Sequence, residues 1–466
     1  FHRLSIVYLY WKNRNNKPQP KARFQELPVV TVQLPMFNEK FVVDRLLESV
    51  AALDYPQDKL EIQILDDSTD DTTEQCYRKV EELKSRGFDA VCIHRTDRTG
   101  FKAGALEAAT KVAKGEFLLI LDADFVPEPD LLQKTIHFFT DENVGLVQTR
   151  WGHINREYNL LTRIQGMYLD GHFAMEQTAR NRSGRFFTFN GTAGIWRKCV
   201  IGDAGGWSHD TLTEDMDLSY RVQLRGWRFI YLNDVVTPAE LPVDMDGFKS
   251  QQHRWTKGSI QVCQKILLDI WRSNAPLKAK VEATTHLTCN YSYLLLALLC
   301  FLVYPICTQR IPENETVFMW FVNVALFFMT SVAVCIFYMS AQIVVRPKSW
   351  WKELPYLPLL LTLSVGMAVN NAKAVLEAIF GHQSAFVRTP KYGVDRKEDR
   401  RHVSQLKRNG YRAIKSVVIP VLEIACGTFF LNLIIIMIRQ GHYLSPILMI
   451  PFLGFYYTGF CSLGRM

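Results

Sequence analysis

The sequence predicts an α/β domain with a mainly parallel sheet and flanking helices, fused to an α-helical transmembrane region with interfacial helices. Three observations carry this. From Phe1 to about Lys280, apolar residues are interleaved with charge, and strand-like and helix-like segments alternate. Beyond that point lie five long apolar runs: His286–Cys307, Val317–Val345, Leu354–Phe380, Val417–Ile438 and Tyr443–Phe460. Runs of roughly 18 or more mostly apolar residues read as membrane helices. Finally, polar motifs fall where strands end, the edge on which parallel sheets bind ligands.

The elements follow in order. Phe1–Trp11 is too short to span, and Lys12, Arg14, Lys17, Lys21 and Arg23 follow it. It reads as the cytosolic end of a span and lacks the features of a signal peptide. Val29–Pro35 is a short β-branched strand. Phe41–Leu53 has Val43, Leu46, Leu47 and Val50 at helical spacing. Glu61–Asp67 is strand-like. Asp71–Arg86 is helix-like, with Cys76, Val80 and Leu83 on one face. Ala90–Arg95 is a third strand, Lys102–Ala113 an Ala-rich helix, and Phe117–Asp122 a buried fourth strand. The implied divisions are 1–27 (end of a membrane helix and linker), 28–242 (α/β domain), 243–282 (interfacial helices), 283–345 (two spans), 346–411 (interfacial helix and loop) and 412–466 (two spans).

The formal net charge is +8. Its basic clusters, Arg346–Lys352 and Arg388–Lys415, sit beside apolar runs, as cytoplasmic loops do, and argue against a nucleic-acid partner. Ten cysteines are scattered without a CxxC or Cys/His cluster. They give no case for a zinc site or a disulfide framework.

Asn38 and Glu39 follow the first strand, Asp66 and Asp67 end the second, and Asp122 and Asp124 end the fourth. Their convergence argues for one cleft with a nucleotide as its occupant. Asp122-Ala123-Asp124 places two carboxylates one residue apart. A divalent cation relieves their repulsion, and Mg2+ or Mn2+ completes its shell with water and phosphate oxygens. A solvated turn is the competing reading. Glu214 and Asp215 follow Thr213, either as an ordinary helix start or as a general base held in a cleft. In Gln251–Trp255, Arg254 suits a clamp on departing phosphate and Trp255 a floor for a sugar ring. An amphipathic membrane-surface helix is the alternative. Trp151 is a similar sugar platform or a core residue. Lys102 is a phosphate partner or a surface lysine. Phe189–Arg197, with two glycines and small polar residues, suits close approach of a ligand to backbone.

Together PMFNE, LDDSTDDT, FKAGAL, DADF, FNGTAGIWR, TEDMDL and QQHRW, in this order and followed by membrane segments, resemble the processive glycosyltransferases of family 2. Cellulose, hyaluronan and chitin synthases belong there. The nearest likeness is to cellulose-synthase-like A mannan synthases and C glucan synthases and bacterial relatives, over about Pro28–Lys391. The resemblance implies a cytosolic GT-A domain, a membrane channel, a nucleotide-diphosphate sugar, Mg2+ or Mn2+, and inversion at the anomeric carbon. It implies that Asp66 or Asp67 contacts base or ribose and that Asp122 and Asp124 hold the metal diphosphate. Asp215 deprotonates the acceptor. Gln251, Arg254 and Trp255 position diphosphate and acceptor, and Asn190, Gly191 and Thr192 lie near the acceptor sugar. Phe386–Lys391 resembles the gating loop (Phe-x-Val-Thr-x-Lys) over the nucleotide, with Thr389 and Lys391 matching and Arg388 in place of Val. There is no cysteine-rich zinc region, and no C-terminal cyclic-dinucleotide sensor is expected.

The expectation is therefore a membrane-embedded hexosyltransferase that polymerises and translocates a β-linked polysaccharide. Its donor is GDP-mannose or UDP-glucose. The membrane is the bacterial inner membrane, or the Golgi in a eukaryote. A non-processive transferase acting on a lipid is the first alternative, and a transporter with a nucleotide sensor the second. Topologically, Leu354–Phe380 is expected to be interfacial or re-entrant. If it crossed, the basic segment Arg388–Lys415 would lie outside. Pro355 and Pro358 at its start, and Asn370, Asn371, Lys373 and Glu377 within it, permit a surface position. Four spans then remain, with the loop Gln309–Thr316 outside.

Overall fold

A computed structural model of the chain describes residues 1–308, 316–382, 388–395, 397–408, 411, 417–439 and 446–464. The first half is built on a seven-stranded sheet of order β3-β2-β1-β4-β6-β5-β7. These strands are β1 (Val30–Met36), β2 (Leu60–Asp66), β3 (Asp89–His94), β4 (Phe117–Ile120), β5 (Val144–His153), β6 (Gly194–Arg197) and β7 (Arg228–Ala239). The first four pair in parallel and match the four expected strands within a residue or two at most ends. β6 runs antiparallel between β4 and β5, while β5 and β7 are parallel. Strand–helix–strand crossovers place helices Val43–Ala51 and Thr72–Ser85 against one face. Their buried residues, Val43, Leu46, Leu47 and Val50, then Cys76, Val80 and Leu83, are those the helical spacing selects. They join the strand side chains in one contiguous core. Helices Phe101–Val112 and Glu214–Leu224 pack with the other face.

The sequence reading did not pick out β5, β6 and β7. β6 has only four residues, Gly194-Ile195-Trp196-Arg197, too few for periodicity. β5 and β7 are interrupted by register shifts and carry Gln148, Thr149, Asn233 and Asp234, so neither reads as a plain alternation.

The helix Met245–Arg272 begins at Asp244, whose side chain accepts from the Gly247 backbone N–H. The apolar run placed at His286–Cys307 is two helices, Leu277–Thr288 and Tyr291–Thr308, bent by 51° where they meet. Leu354–Phe380 is likewise broken, into Leu357–Gly366 and Ala368–Ile379 with a 40° bend. Then come Val418–Arg439 and Pro446–Ser462. Among the described residues, Val418–Arg439 is the one helix long and apolar enough to cross a membrane. Up to three spans are reached among those residues if each bent pair is one. Residues 309–315 of the expected outside loop lie outside the described residues.

Buried ion pairs join the two halves. Asp170, at the end of helix Leu160–Asp170, accepts from Arg156, and Gln342 of helix Thr316–Val345 bonds both. Glu353 is fully buried and accepts from Arg163 and from Arg346 at 2.6 Å. Lys249 of Met245–Arg272 donates to Glu423 of Val418–Arg439, and also to Thr458 O (3.1 Å) and Ser462 Oγ (2.8 Å).

Candidate active site

The carboxyl ends of β1, β2, β4, β5 and β7 surround a cavity of about 580 Å³. The strands end together because the parallel register pairs Met36 with Asp66, and β4 lies beside β1. Asp122 and Asp124 both line this cavity. Each carboxylate is held by a lysine distant in sequence. Lys102 Nζ donates to Asp122 and to the Gly191 carbonyl (2.8 Å). Lys391 Nζ donates to Asp124 at 2.6 Å and to the Glu240 carbonyl at 3.1 Å. Burial opposes the charge on both lysines, but the facing carboxylates hold their pKa values above the ordinary lysine range.

Glu214 and Asp215 open the helix Glu214–Leu224 and line the same cavity. Thr213 makes no side-chain cap, so the capping half of the helix-start reading does not hold, although carboxylates at this end still suit the helix dipole. Burial, with Glu214 alongside, pushes Asp215 up to about 7. Burial likewise raises Glu214. Gly191 turns with φ of +80°, and a Cβ there would lie 3.2 Å from Asp215 Oδ2 and 3.5 Å from Lys102 Nζ. Glycine is what lets the backbone pass that close to both.

Gln251, Arg254 and Trp255, three and four residues apart, share one helix face and turn to the cavity. Trp151, on β5, stacks on Phe173 with centroids 4.6 Å apart and approaches Trp255 at 6.5 Å. The aromatic wall is thus both core and lining. Asn190 and Gly191 line the cavity too. Of the loop Phe386–Lys391, Arg388, Thr389 and Lys391 reach the lining, while Phe386 and Val387 lie outside the described residues. Glu240 clips this segment: its carboxylate accepts from the backbone N–H of Tyr392 (2.8 Å) and Val394 (3.0 Å). Glu39 lines the cavity near Arg388, 3.7 Å away, and burial pushes it up to about 8.

Three expected residues stand outside the lining. Asp66 is fully buried and accepts from Thr73, His94 and the Ser68 N–H. It shapes the turn after β2, leaving Asp67, which pairs with Arg95, as the one exposed to the cavity. Asn38 adopts φ of 56° and bonds Thr69, so it ties two strand-end loops together. Thr192 is buried, its hydroxyl accepting from the Asp122 N–H at 2.8 Å. Sequence reasoning missed Glu240, His153 and Arg98, the last stacked 3.4 Å over the Phe37 ring. The strand-end rule finds the first two once β5 and β7 are known.

The lining joins two hard carboxylates, fixed cations, an aromatic wall and a raised carboxyl pair. Among the described residues, Glu39 Oε2, Trp151 Nε1 and Thr389 Oγ1 are buried there without a hydrogen-bond partner. Unmet groups of this kind suit a polar ligand. Among the described residues no group of three or more His, Cys, Asp or Glu forms a metal cage. Two carboxylates fit a divalent ion that takes its remaining ligands from water and phosphate.

A family described as "Glycosyltransferase like family 2" matches residues 28–258, and one described as "Cellulose synthase" matches residues 194–440. Glucomannan 4-beta-mannosyltransferase 2 of Arabidopsis thaliana is 42% identical over 284 residues, 58% of this chain and 52% of its own length. Glucomannan 4-beta-mannosyltransferase 1 of Oryza sativa subsp. japonica is 40% identical over 277 residues, 58% of this chain and 53% of its own. The chain spans about half the length of the curated relatives it matches. Among solved structures, a mannosyltransferase from Pyrobaculum calidifontis in complex with GDP-Man and Mn2+ gives a TM-score of 0.56 at 20% identity. It covers 82% of this chain and 97% of its own. That likeness is one of fold.

Proposed function

The chain belongs to the cellulose synthase family, and from that premise we propose that it is an inverting, processive hexosyltransferase. It extends a β-linked mannan or glucomannan from a nucleoside-diphosphate sugar and passes the product into its membrane helices. The observation that carries this is the shared cavity: a carboxyl pushed up to about 7, Asp215, opens onto the same space as the Asp122/Asp124 pair. The names of the matched relatives favour mannose as the transferred sugar, with GDP-mannose as donor.

Asp122 and Asp124 would hold Mg2+ or Mn2+, which neutralises diphosphate charge on the leaving group. Asp67 and Glu39 lie where the nucleoside enters, and Lys391 and Thr389 close over it. Arg254 and Lys102 stabilise charge developing on the departing diphosphate. Trp255 and Trp151 give the acceptor sugar a flat apolar face. Asp215 takes the proton of the attacking hydroxyl, and a carboxyl raised toward neutrality is well matched to that task. Attack from the side opposite the diphosphate inverts the anomeric centre.

The experiment is a panel of nucleotide sugars given to the purified chain in detergent or lipid. Nucleotide release and digestion of product by linkage-specific glycosidases are both scored. GDP-mannose giving long mannanase-sensitive product is expected. Single-sugar addition to lipid, or no release with any donor, overturns the reading.

A further inference from the structure

Asn190 lines the same cavity as Asp215 and precedes Gly191, which passes close to that carboxylate, but its carboxamide is not free to choose its orientation. Gln177 Nε2 donates to Asn190 Oδ1 at 2.6 Å. Asn190 Nδ2 and His172 Nε2 are 3.0 Å apart, and His172 Nδ1 lies 3.1 Å from Glu176 Oε2. Glu176 is partly buried, between Arg180 (3.3 Å) and Arg3 (2.7 Å). Burial alone would raise its pKa, but the two guanidinium groups hold it well below the usual carboxylate range.

Gln177 Nε2 also donates to the Thr188 carbonyl at 2.7 Å, which fixes its NH2 toward Asn190 Oδ1. Asn190 Nδ2 therefore faces His172, whose Nε2 meets it as an acceptor while Nδ1–H points to the Glu176 carboxylate. Flipping Asn190 would set its NH2 against the Gln177 NH2 and its oxygen against the bare His172 nitrogen. Both contacts would be repulsive, so the amide has one orientation. Each side of it keeps one unused function: an N–H on Nδ2 and a lone pair on Oδ1. A fixed donor beside a fixed acceptor is the complement of a sugar hydroxyl that both donates and accepts.

The element that supplies the relay supports a functional role. His172, Glu176 and Gln177 all lie on Gly171–Gln177, a π-helical turn continuing the helix Leu160–Asp170. Such turns carry an extra residue and recur at functional sites. The same turn carries Phe173, which backs the Trp151 platform. One irregular turn therefore sets both the aromatic face and the amide edge of the cavity.

We propose that His172, held by Glu176, is a positioning residue that fixes the Asn190 carboxamide to recognise a hydroxyl of the acceptor sugar next to the one that attacks. This rests on the reading of the chain as a glycosyltransferase with its acceptor at Asp215. Its consequence is selectivity for the configuration at that neighbouring carbon of the acceptor, set independently of the donor.

The test uses the full chain with a short β-linked oligosaccharide acceptor. KM for acceptor, KM for donor, and donor hydrolysis without acceptor are measured. His172→Phe removes the bare nitrogen. His172→Gln returns an acceptor oxygen near the same place. Loss of one buried orienting bond should raise the acceptor KM about tenfold in His172→Phe. Donor KM and donor hydrolysis should stay within about twofold, as expected of a change confined to acceptor binding. His172→Gln should recover most of the loss. An unchanged acceptor KM in His172→Phe, an equal rise in donor KM, or a glutamine variant no better than phenylalanine overturns the proposal. Should His172→Phe fail to fold, Asn190→Asp, which keeps the shape and swaps the donor for an acceptor, must raise the acceptor KM, and no rise overturns it equally. Absence of transfer by the unmodified chain with every donor is a different result. It removes the transferase reading and the proposal with it.

Discussion

Single side chains decide the chemistry. Asp124 is buried at the cavity wall and pairs with Lys391, within a charged cluster rather than the apolar core. Asp124→Ala should lower turnover by about 100-fold or more, the scale of losing one charge-stabilising group. Binding of Mn2+ with GDP should weaken alongside; the unfolding midpoint should fall as well, because Lys391 loses its carboxylate partner, so turnover is scored per folded molecule. Near-normal polymer yield from folded Asp124→Ala would reject the assignment. Asp215 gives a pH prediction. Its pKa lies above the ordinary carboxylate value, so the proton is kept until about 7 and the basic form is lost as pH falls below that. The kcat/KM profile, which reports the free enzyme, should rise with pH through about 7. In Asp215→Asn that rise should vanish along with elongation, while nucleotide-sugar binding persists. A retained pH rise in the variant would assign it to another group.

At the level of elements, one helix does two jobs. Met245–Arg272 presents Gln251, Arg254 and Trp255 to the cavity, and through Lys249 it is bolted to the last two helices. The Lys249–Glu423 pair is buried on both sides. Removing one partner strands the other charge, and such changes cost about 3–5 kcal/mol. Lys249→Met should therefore lower the unfolding midpoint in detergent strongly. Lys249→Met with Glu423→Met should restore much of it, because an apolar pair of similar volume is often neutral. A double variant no more stable than the single one would show that the pair acts separately. Glu240 plays the corresponding part on the other side. It follows β7 and holds the backbone of Tyr392 and Val394, which brings Lys391 to Asp124. The strand-end rule found Asp67, Asp122 and Asp124. It left out Glu240 because β7 carries Asn233, Asp234 and Pro238 and does not alternate.

For the whole molecule the question is how the chain sits in a bilayer. The run Leu354–Phe380 folds as two helices meeting at a 40° bend, Leu357–Gly366 and Ala368–Ile379. The second lies against Met245–Arg272 and buries Asn370 and Asn371, with Asn370 Nδ2 donating to the Lys249 carbonyl. Gly366 abuts Gly454, where an added Cβ would come within 2.4 Å of the Gly454 carbonyl. Close approach at small residues is how helices pack in lipid. An interfacial or re-entrant segment here would keep the following basic stretch and Lys391 on the catalytic side, in line with the excess of Lys and Arg on cytoplasmic loops. Lys397→Cys, in a chain cleared of other reactive thiols, should resist an impermeant thiol reagent in intact cells and react once the membrane is opened. Labelling in intact cells would place that segment outside and sink this topology.

Local order along the chain was legible from the sequence alone. Four strands, the helices between them and the acidic pairs at their ends follow from apolar periodicity and from where polar residues interrupt it, both properties of neighbours in the chain. The motifs pointed to the proposed chemistry as well, since Asp122-Ala123-Asp124 and Thr213-Glu214-Asp215 carry their carboxylates wherever the fold puts them. What only the tertiary structure decided is which of two adjacent groups faces the cavity. Asp66 and Asp67 are neighbours, yet Thr73 and His94 bury the first while Arg95 holds the second at the wall. Asn190 faces ligand space, while Thr192, two residues on, turns inward to the Asp122 backbone. The lysine partners of Asp122 and Asp124, the Glu240 clip and the His172–Asn190 relay likewise join residues from 18 to 267 positions apart. Sequence pattern has no term for such pairs, because their closeness is set by the register of β1 against β2 and β4, and by a helix packed across the end of the sheet.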